Sequence, residues 1–338
     1  MPQTNPLRIG ILGAANIARA FAAACAKSPE VEVAVVASRR MSKAMAFADE
    51  VGISRALGSY EELLKDEAIE AVYIPLPNSM HAEWAMRATE AGKHVLCEKP
   101  LALNAKEVRA MFAAADTHKT ILREAYPYMA QAQTAQIRTW MAESAIGELR
   151  LIRSTFGVLF SDPANIRLSP VLGGGALYDA GSYATSLVRI AAGARPVRVQ
   201  AVAQHDANGV DMTTVANLEF GDGLLAQVSC SFAAAGHRSA SIAGDKGVIE
   251  TNFLNHPPEG GPTLLQIRKG ILLTVPFEKI ELPEDNGFRL ETESFARLVR
   301  GDAHAWTGAT QRESVDIALI LDAIRASSRS GRWEDVDV

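Results

Sequence analysis

The chain has 338 residues, a net charge of −5 at pH 7, 48% hydrophobic residues and 6% aromatic residues. This length is sufficient for two hydrophobic cores, so we expect two domains. Without long basic runs, bilayer-length apolar runs or an N-terminal signal pattern, the sequence predicts a cytoplasmic protein that binds neither nucleic acid nor membranes.

Residues 1–123 alternate short β-rich runs with helical ones, the order expected of parallel strands joined by crossover helices. The predicted strands are residues 8–12, 31–37, 55–57, 71–74, 94–97 and 120–123. The predicted helices are residues 16–27, 42–50, 60–65, 79–91 and 105–118. This part of the chain is therefore predicted to be an α/β domain of the Rossmann type with a doubly wound parallel sheet.

Residues 124–338 show a different pattern, with a predicted helix at 133–144 and then longer strands separated by glycine-rich turns. In residues 224–232, apolar side chains alternate with mostly polar ones, a period of two that buries one face of a sheet. The amphipathic segment 312–327 predicts a final helix. We expect an α+β domain with a large open, mostly antiparallel sheet that binds the substrate.

The three cysteines, Cys25, Cys97 and Cys230, lie within apolar helix or strand patterns. Their spacing does not match that of metal ligands. We therefore expect reduced core residues and no bound metal.

The segment IGILGAANIARA, residues 9–20, runs from a strand through a tight turn into a helix, which is where a dinucleotide-binding loop belongs. A GxGxxG pattern that starts at Gly13 has Ala15 and Ala18 in place of its second and third glycines. Alanine still allows a pyrophosphate to approach the helix N-terminus. An ordinary strand-to-helix turn is the alternative. The candidate cofactor contacts of this turn are Gly13, Ala14, Ala15, Asn16 and Ile17.

The second predicted strand ends in Ser38, Arg39 and Arg40, where an NAD-binding domain would have an acidic residue for the ribose 2′-hydroxyl. Guanidinium groups beside a hydroxyl suit a 2′-phosphate, because their planar donors bind phosphate oxygens bidentately. NADP(H) is therefore the preferred cofactor and NAD(H) the alternative. A solvated arginine pair is the competing interpretation.

The strand at residues 94–97 runs directly into Glu98, Lys99 and Pro100. In an open α/β sheet the ligand crevice lies outside the carboxyl ends of the strands, so Lys99 is delivered to it. Its ammonium is suited to stabilise an alkoxide or to act as an acid and base. The alternative for Lys99 is an ordinary surface lysine. For His81, in the loop after the strand at residues 71–74, the alternative is a histidine without a catalytic role. The other candidate cofactor contacts at this sheet edge are Pro75, Leu76, Asn78, His81 and Glu98.

Three glycines at residues 173–175 precede a predicted helix in which Asp179 and Tyr183 are four residues apart and so share a face. Asp179 is suited to accept a hydrogen bond from a substrate hydroxyl or to keep Lys99 charged. Tyr183 is suited to donate to the substrate oxygen or to relay its proton. A solvated polar face is the alternative.

Together, the degenerate turn at residues 10–18, the run EKP and the run GGGALYDAGSY at residues 173–183 resemble the glucose-fructose oxidoreductase, inositol dehydrogenase and MocA (Gfo/Idh/MocA) family over nearly the whole chain. The resemblance implies a Rossmann domain followed by a mixed α/β domain whose open sheet often forms a dimer face. It also implies NAD(P)-linked oxidation or reduction of sugars, polyols and related compounds. The lysine of the family's EKP motif corresponds to Lys99, and the first and last residues of its DxGxH or DxGxY motif correspond to Asp179 and Tyr183.

A tyrosine at position 183 is similar to the family branch that contains NADP-dependent xylose dehydrogenase, dihydrodiol dehydrogenase and glucose-fructose oxidoreductase. The chain departs from that branch at residues 124–134, EAYPYMAQAQT, where the branch resembles EAYMYRFHPQT. Losing a cation and an imidazole near the pocket changes which substrate groups are tolerated. Tyr126 is a candidate substrate contact, and Arg167 is either a replacement cation or a solvated loop residue.

The sequence thus predicts hydride transfer between the nicotinamide and a carbinol or carbonyl carbon of a sugar, polyol or related cyclic hydroxy compound. In this hypothesis Lys99 and Tyr183 converge beside the nicotinamide and manage the proton of the substrate oxygen, while Asp179 orients them. A non-catalytic NADP-binding sensor, or a family enzyme whose cofactor stays bound and is recycled, are the alternatives. We expect a homodimer or homotetramer formed through the C-terminal sheet.

Overall fold

The computed structural model describes residues 5–255, 263–283 and 285–337. The chain forms two compact units. The first unit consists of Met1–Ala102, Lys106–Ala130 and Asn286–Gln311, and the second of Leu103–Ala105, Gln131–Asp285 and Arg312–Val338. The sequence predicted a cofactor-binding domain at residues 1–123 and a substrate-binding domain at residues 124–338. This assignment of functions to the two parts of the chain stays a prediction.

The described residues contain strands and helices that are numbered here in chain order. The strands are β1 (Leu7–Leu12), β2 (Val31–Ala37), β3 (Ala56–Leu57), β4 (Ala71–Ile74), β5 (His94–Glu98), β6 (Leu122–Ala125), β7 (Leu149–Gly157), β8 (Arg198–His205), β9 (Asp211–Glu219), β10 (Leu225–Ser231), β11 (His237–Gly244), β12 (Gly247–Thr251), β13 (Leu265–Lys269), β14 (Glu278–Lys279) and β15 (Glu334–Asp335). The helices are α1 (Asn16–Cys25), α2 (Met41–Val51), α3 (Tyr60–Leu64), α4 (His81–Glu90), α5 (Ala105–Thr117), α6 (Ala132–Ala142), α7 (Ser182–Ala192), α8 (Gly287–Val299) and α9 (Gln311–Ser330).

The first unit contains, within the described ranges, a six-stranded parallel sheet in the order β3-β2-β1-β4-β5-β6. The chain builds outwards in one direction from β1 and then in the other from β4. The sheet is therefore doubly wound, with its switch point between β1 and β4, where ligands of such sheets bind. The predicted Rossmann-type sheet is confirmed.

Helix α8 also belongs to the first unit, although its residues come late in the chain and no helix was predicted there. Its N-cap, Asn286, accepts hydrogen bonds from the amides of Phe288 and Arg289. Phe288 and Phe295 are fully buried in the core of this unit. The same helix buries Glu291, and a carboxylate on the inner face obscures the apolar period that identifies a helix in a sequence.

The second unit contains a nine-stranded sheet in the order β14-β13-β12-β11-β7-β10-β9-β8-β15, counted over the described residues. Strands β7 and β10 pair in parallel and the other neighbours are antiparallel. The mostly antiparallel sheet is thus confirmed. In β10 and its flanks, the apolar set that the sequence placed on the inner face is buried; it comprises Leu224, Ala226, Val228, Cys230 and Phe232.

Helices α7 and α9 of the second unit are joined by a buried ion pair. Arg189 Nε lies 2.8 Å from Asp316 Oδ2, and the two side chains are only 5% and 7% exposed. The predicted packing face of α9 is confirmed, because Ile317, Ile320 and Ile324 are each at most 1% exposed.

The described residues show neither a membrane-spanning helix nor a metal-binding cluster. None of the helices there is both long enough and apolar enough to cross a bilayer. The same residues contain no group of histidine, cysteine and acidic side chains arranged to hold a metal ion. Cys25, Cys97 and Cys230 are buried free thiols, as expected of core residues.

Candidate active site

The turn after β1 has the geometry of a phosphate-binding turn. Gly13 adopts φ +121°, and its amide donates a 2.9 Å hydrogen bond to the oxygen of Ala37 at the end of β2. This φ favours glycine, because L side chains rarely adopt it, and a Cβ on Gly13 would also lie 2.9 Å from a methyl group of Leu76. Helix α1 follows with Ala15 as its N-cap, without a side-chain cap and without an acidic residue in its first turn.

The first amides of a helix need acceptors from outside the helix. A pyrophosphate supplies such acceptors, and the helix dipole favours its negative charge. The turn residues of this chain therefore fit the phosphates of a dinucleotide. Ala14 is buried, Ile17 is partly buried, and Asn16 is exposed with its side-chain oxygen accepting from Arg19.

Two arginines follow β2, whose last residue, Ala37, accepts the hydrogen bond from Gly13. Arg39 and Arg40 are exposed, whereas Ser38 is buried and its amide donates to the oxygen of Leu57 at 3.1 Å. Burial raises the pKa of the Tyr60 hydroxyl, and the charge of Arg39 and a hydrogen bond from it oppose that rise. The Arg39 guanidinium thus lies beside the Tyr60 hydroxyl, which is itself close to Gly13, and the donor set fits a 2′-phosphate.

His81 ties together the loops that follow β4 and β5. The imidazole is fully buried, with Nε2 2.8 Å from the oxygen of Leu76 and Nδ1 2.9 Å from the oxygen of Pro100. Burial lowers the pKa of His81, while its hydrogen bonds to the two carbonyls oppose that change. Because both ring nitrogens face the backbone, His81 supports the two loops, and its own contact with a cofactor stays a prediction.

Lys99 follows β5 directly and is partly buried. The Lys99–Pro100 peptide bond is cis. In the loop that follows the neighbouring strand β4, Pro75 and Leu76 are buried and Asn78 is partly buried. The carboxyl ends of β1, β4 and β5 therefore carry the phosphate turn, the Leu76 loop and the lysine at one edge of the parallel sheet.

Three carboxylates are buried near this edge. Glu98 accepts a 2.5 Å hydrogen bond from the Tyr73 hydroxyl, and Glu124 accepts a 2.9 Å bond from the amide of Leu101. Burial, reinforced by the charge of Glu98, raises the pKa of Glu291 well above its ordinary value. Tyr73 is thus a hydrogen-bond partner of Glu98 within the first unit, which also carries Lys99.

The segment that departs from the family branch is largely buried. Tyr126 is fully buried, with its ring edge-on to Tyr128 at a centroid distance of 6.2 Å, and Met129 is also buried. In the second unit, the buried amide nitrogen of Gln131 donates to the backbone oxygen of Asn255. Tyr126 as a substrate contact stays a prediction.

Arg167 and Asp179, both predicted site residues, form an ion pair in the second unit. Arg167 Nε lies 2.8 Å from Asp179 Oδ2. The glycine run makes this possible, since a Cβ on Gly174 would lie 2.3 Å from the oxygen of Arg167 and the amide of Gly175 donates to that same oxygen at 2.9 Å. Asp179 therefore has a cation as its partner within this unit.

The helix that carries Asp179 begins differently from the regular helix that the sequence predicted. A π-helical turn spans Leu177–Gly181 before α7 starts, and wide turns of this kind occur often at functional sites. Asp211 of β9 accepts a 2.6 Å hydrogen bond from the amide of Leu177. Burial raises the pKa of Asp211, and this amide hydrogen bond opposes the rise.

Tyr183, in the first turn of α7, is buried among aromatic and polar partners. The side-chain nitrogen of Asn255 donates to its hydroxyl at 3.1 Å, and the guanidinium carbon of Arg238 lies 4.3 Å from its ring centroid. Sequence reasoning missed Arg238, Asn255 and Asp211, because they are remote in the chain and belong to no motif.

Each unit therefore assembles part of the predicted set. The first brings together the phosphate turn, the arginine pair and Lys99, and the second brings together Arg167, Asp179 and Tyr183. The predicted approach of Lys99 to Tyr183 concerns residues of different units and stays a prediction.

The chain matches known proteins over most of its length. Residues 7–126 match an oxidoreductase family with an NAD-binding Rossmann fold, and residues 134–250 match the GFO/IDH/MocA C-terminal domain. The NADP-dependent D-xylose 1-dehydrogenase 2 of Haloferax volcanii is 36% identical, with 98% of this chain and 100% of that protein covered. A trans-1,2-dihydrobenzene-1,2-diol dehydrogenase of Danio rerio is 33% identical, with 94% of this chain and 96% of that protein covered.

Among solved structures, a 3-ketoreductase from Actinomadura kijaniata in complex with NADP and TDP-benzene has a TM-score of 0.86 and 31% identity. The match covers 96% of this chain and 98% of that one. Two further structures of that ketoreductase carry a lysine-to-alanine and a tyrosine-to-phenylalanine substitution. The two substituted positions are separated there by the same number of residues as Lys99 and Tyr183 here.

Proposed function

Because the chain belongs to the Gfo/Idh/MocA oxidoreductase family, we propose that it transfers a hydride between NADP(H) and a carbinol or carbonyl carbon of a sugar, polyol or related cyclic hydroxy compound. The observation that carries this proposal is the single sheet edge at which β1, β4 and β5 end with the phosphate turn, the Leu76 loop and Lys99. The relatives named for xylose, a dihydrodiol and a keto group support this class of substrate.

The proposed cofactor contacts follow from the donor sets at that edge. The turn residues Gly13 to Ile17 bind the pyrophosphate, and Ser38, Arg39 and Arg40 bind the 2′-phosphate. The loops after β4 and β5 face the nicotinamide half. Their proposed contacts are Pro75, Leu76, Asn78, His81, Glu98 and Lys99.

The arginine pair makes the cofactor choice testable. Replacing both Arg39 and Arg40 with alanine removes charge-assisted hydrogen bonds worth about 1.5–3 kcal/mol each, so the Kd for NADP should rise more than tenfold while that for NAD changes little. Titrating intrinsic fluorescence with each nucleotide measures both constants. Arg109→Ala, at an exposed arginine of α5, is the matched control. An equal loss for NADP and NAD would refute the assignment.

The proposed chemistry assigns the substrate oxygen to Lys99 and Tyr183. Bound NADP(H) supplies or accepts the hydride. In the reducing direction the carbonyl carbon gains that hydride, and Tyr183 or Lys99 gives a proton to the oxygen. In the oxidising direction the carbinol carbon loses a hydride to the cofactor, and its hydroxyl loses a proton to Tyr183 or Lys99. The ammonium of Lys99 stabilises the negative charge that develops on the oxygen. Asp179, paired with Arg167, helps to orient the helix that carries Tyr183.

A substrate screen with active-site variants tests this chemistry. Aldoses, cyclic polyols and keto sugars are incubated with NADP or NADPH, and turnover is followed by absorbance. Lys99→Met and Tyr183→Phe should each lower kcat by about 10²–10⁴-fold while the Kd for NADPH changes less than about threefold. Lys106→Ala, at an exposed lysine of the same unit, is the control. Equal losses of binding and turnover would mark Lys99 as structural.

The same assays separate the competing functions. Nucleotide binding without turnover of any compound in the screen would indicate a sensor. Cofactor that copurifies and resists dialysis would indicate an enzyme that recycles a bound nucleotide. Free exchange of NADP(H) during turnover supports the proposed dehydrogenase or reductase.

We further propose that the open face of the nine-stranded sheet forms a homodimer or part of a homotetramer. Val202, Val215 and Leu225 project from one face of neighbouring strands and are 73%, 47% and 51% exposed. Val202 pairs directly with Val215, and exposed apolar side chains on an open sheet face favour association. Light scattering of Val202→Lys/Val215→Lys should show a smaller species than the parent protein; a parent monomer would contradict the proposal.

For the location of the protein we propose the cytoplasm. The three buried free thiols support a reducing compartment, where disulfides are rare. Fractionation of cells that express the tagged chain tests this, and recovery from an oxidising compartment would contradict it.

A further inference from the structure

We propose that Arg238 and Asn255 are positioning residues that hold the hydroxyl of Tyr183 ready to exchange a proton with the substrate oxygen. This inference rests on the proposed function, in which Tyr183 contacts that oxygen. All three residues, and the contacts between them, belong to the second unit.

Arg238 lies in β11 with its guanidinium surrounded by aromatic rings. Its guanidinium carbon is 4.3 Å from the ring centroid of Tyr183, 4.5 Å from that of Phe253 and 4.8 Å from that of Phe156. All three distances are within the range of a cation–π attraction. Phe156 also packs edge-on against Tyr183, with centroids 5.7 Å apart. The orientation of the phenol ring is thus constrained by the guanidinium of Arg238 and by the edge-on contact with Phe156.

Asn255 fixes the other end of the phenol. Its side-chain nitrogen donates to the Tyr183 hydroxyl at 3.1 Å, and the asparagine side chain is buried. The backbone oxygen of Asn255 in turn accepts a hydrogen bond from the buried amide of Gln131. A phenol oxygen that accepts from Asn255 keeps its own proton for another acceptor, and the substrate oxygen is such an acceptor.

The two contacts act in the same electrostatic direction. A positive charge over the ring and a hydrogen bond donated to the oxygen both stabilise the negative charge that develops on Tyr183 as its proton moves to the substrate. Because both groups are preorganised by buried neighbours, they need little rearrangement during the reaction. Neither group needs to touch the substrate. Each acts through Tyr183 and is therefore a positioning residue.

Gln131 connects this arrangement to the segment in which the chain departs from the family branch. Gln131 occupies the position of the histidine in the branch sequence EAYMYRFHPQT, a change that the sequence predicted to alter the substrate pocket. The hydrogen bond to Asn255 indicates a different route, because Gln131 reaches Tyr183 through the asparagine.

A double-mutant cycle tests the inference. Arg238→Met should lower kcat about 10–100-fold with little change in the Kd for NADPH, and Arg238→Lys, which retains the cation, should recover part of the loss. In a Tyr183→Phe background, Arg238→Met should cost less than about threefold more, because the hydroxyl through which it acts is gone. Arg150→Met, at an exposed arginine of β7, is the control for removing a cation from the sheet.

The outcomes separate this inference from the proposed function. If Tyr183→Phe retains full activity, the proposed role of Tyr183 fails. If Tyr183→Phe is inactive but Arg238→Met and Asn255→Ala both retain the parent kcat, only the present inference is overturned. Equal losses from Arg238→Met in both backgrounds, with a lower Tm, would mark the arginine as structural. If Arg238→Met does not fold, Arg238→Lys and Asn255→Ala carry the test, and an unchanged kcat in Asn255→Ala refutes the role of the asparagine.

Discussion

Gly175→Ala should damage the second unit far more than an ordinary glycine substitution. Gly175 has φ +128°, and a Cβ there would lie 2.1 Å from Oδ1 of Asp211. The carboxylate of Asp211 cannot move aside freely, because its other oxygen accepts the 2.6 Å hydrogen bond from the amide of Leu177. The substitution therefore strains the backbone and also displaces the group that holds the π-helical turn carrying Asp179.

The two costs can be estimated separately. A side chain at positive φ costs about 1–2 kcal/mol. Loss of a hydrogen bond to a charged group costs about 1.5–3 kcal/mol more. Gly175→Ala should therefore destabilise the second unit by about 2.5–5 kcal/mol. Gly209→Ala is the matched control, since Gly209 has φ +82° and no atom lies within 4 Å of its added Cβ; it should cost only the backbone term of about 1–2 kcal/mol.

Thermal unfolding followed by circular dichroism measures the difference. We expect Gly175→Ala to lower Tm by at least about 5 °C, roughly twice the effect of Gly209→Ala or more. Combining Gly175→Ala with Asp211→Ala should remove the clash, so the two effects should not add. Equal Tm values for the two glycine variants, or strict additivity with Asp211→Ala, would refute the reasoning.

Three further predictions concern buried charge and thiols. Asp316→Ala leaves the buried Arg189 without this carboxylate and should destabilise the protein by about 3–5 kcal/mol in urea unfolding. Arg150→Ala, at an exposed ion pair, should cost less than about 1 kcal/mol. Similar costs for the two variants would contradict this prediction. Burial and the charge of Glu98 raise the pKa of Glu291 above its ordinary 4.5, so the folded state retains a proton and its stability should fall as pH rises from about 4.5 towards the raised pKa. Glu291→Gln should lose less stability over that range when Tm is measured against pH, and parallel curves would oppose the assignment. Burial raises the pKa of the Cys25 thiol to about 12, and all three thiols should react with a disulfide reagent at about pH 8 only after unfolding in urea; rapid reaction of the folded protein would contradict this.

Local sequence patterns were sufficient to place most of the first sheet. The strands predicted at residues 31–37 and 71–74 have the bounds of β2 and β4, because both are short runs rich in valine and other apolar residues with clear ends. The strand predicted at 120–123 was displaced, and β6 instead covers Leu122–Ala125. It includes the buried Glu124, whose carboxylate accepts from the amide of Leu101, a contact that strand propensity does not encode.

The candidate site was predictable to the extent that its residues lie at the ends of predictable elements. Gly13 and Lys99 follow β1 and β5 directly, so predicting the strands also located these residues at the sheet edge. The ion pair of Asp179 with Arg167 was not predictable, because it depends on how a loop folds back on the glycine run. The contact of Arg238 with Tyr183 requires the pairing of β11 with β7, which spacing in the chain does not specify.

The sequence by itself determined where the chain turns, which runs become parallel strands and which residues are delivered to their carboxyl ends, because these features depend on residues close together in the chain. Only the tertiary structure decided that α8 returns to the first unit and that Arg238 and Asn255 surround Tyr183. Such contacts arise when distant segments share a core or a sheet. Their energies depend on packing and burial between those segments rather than on any local pattern.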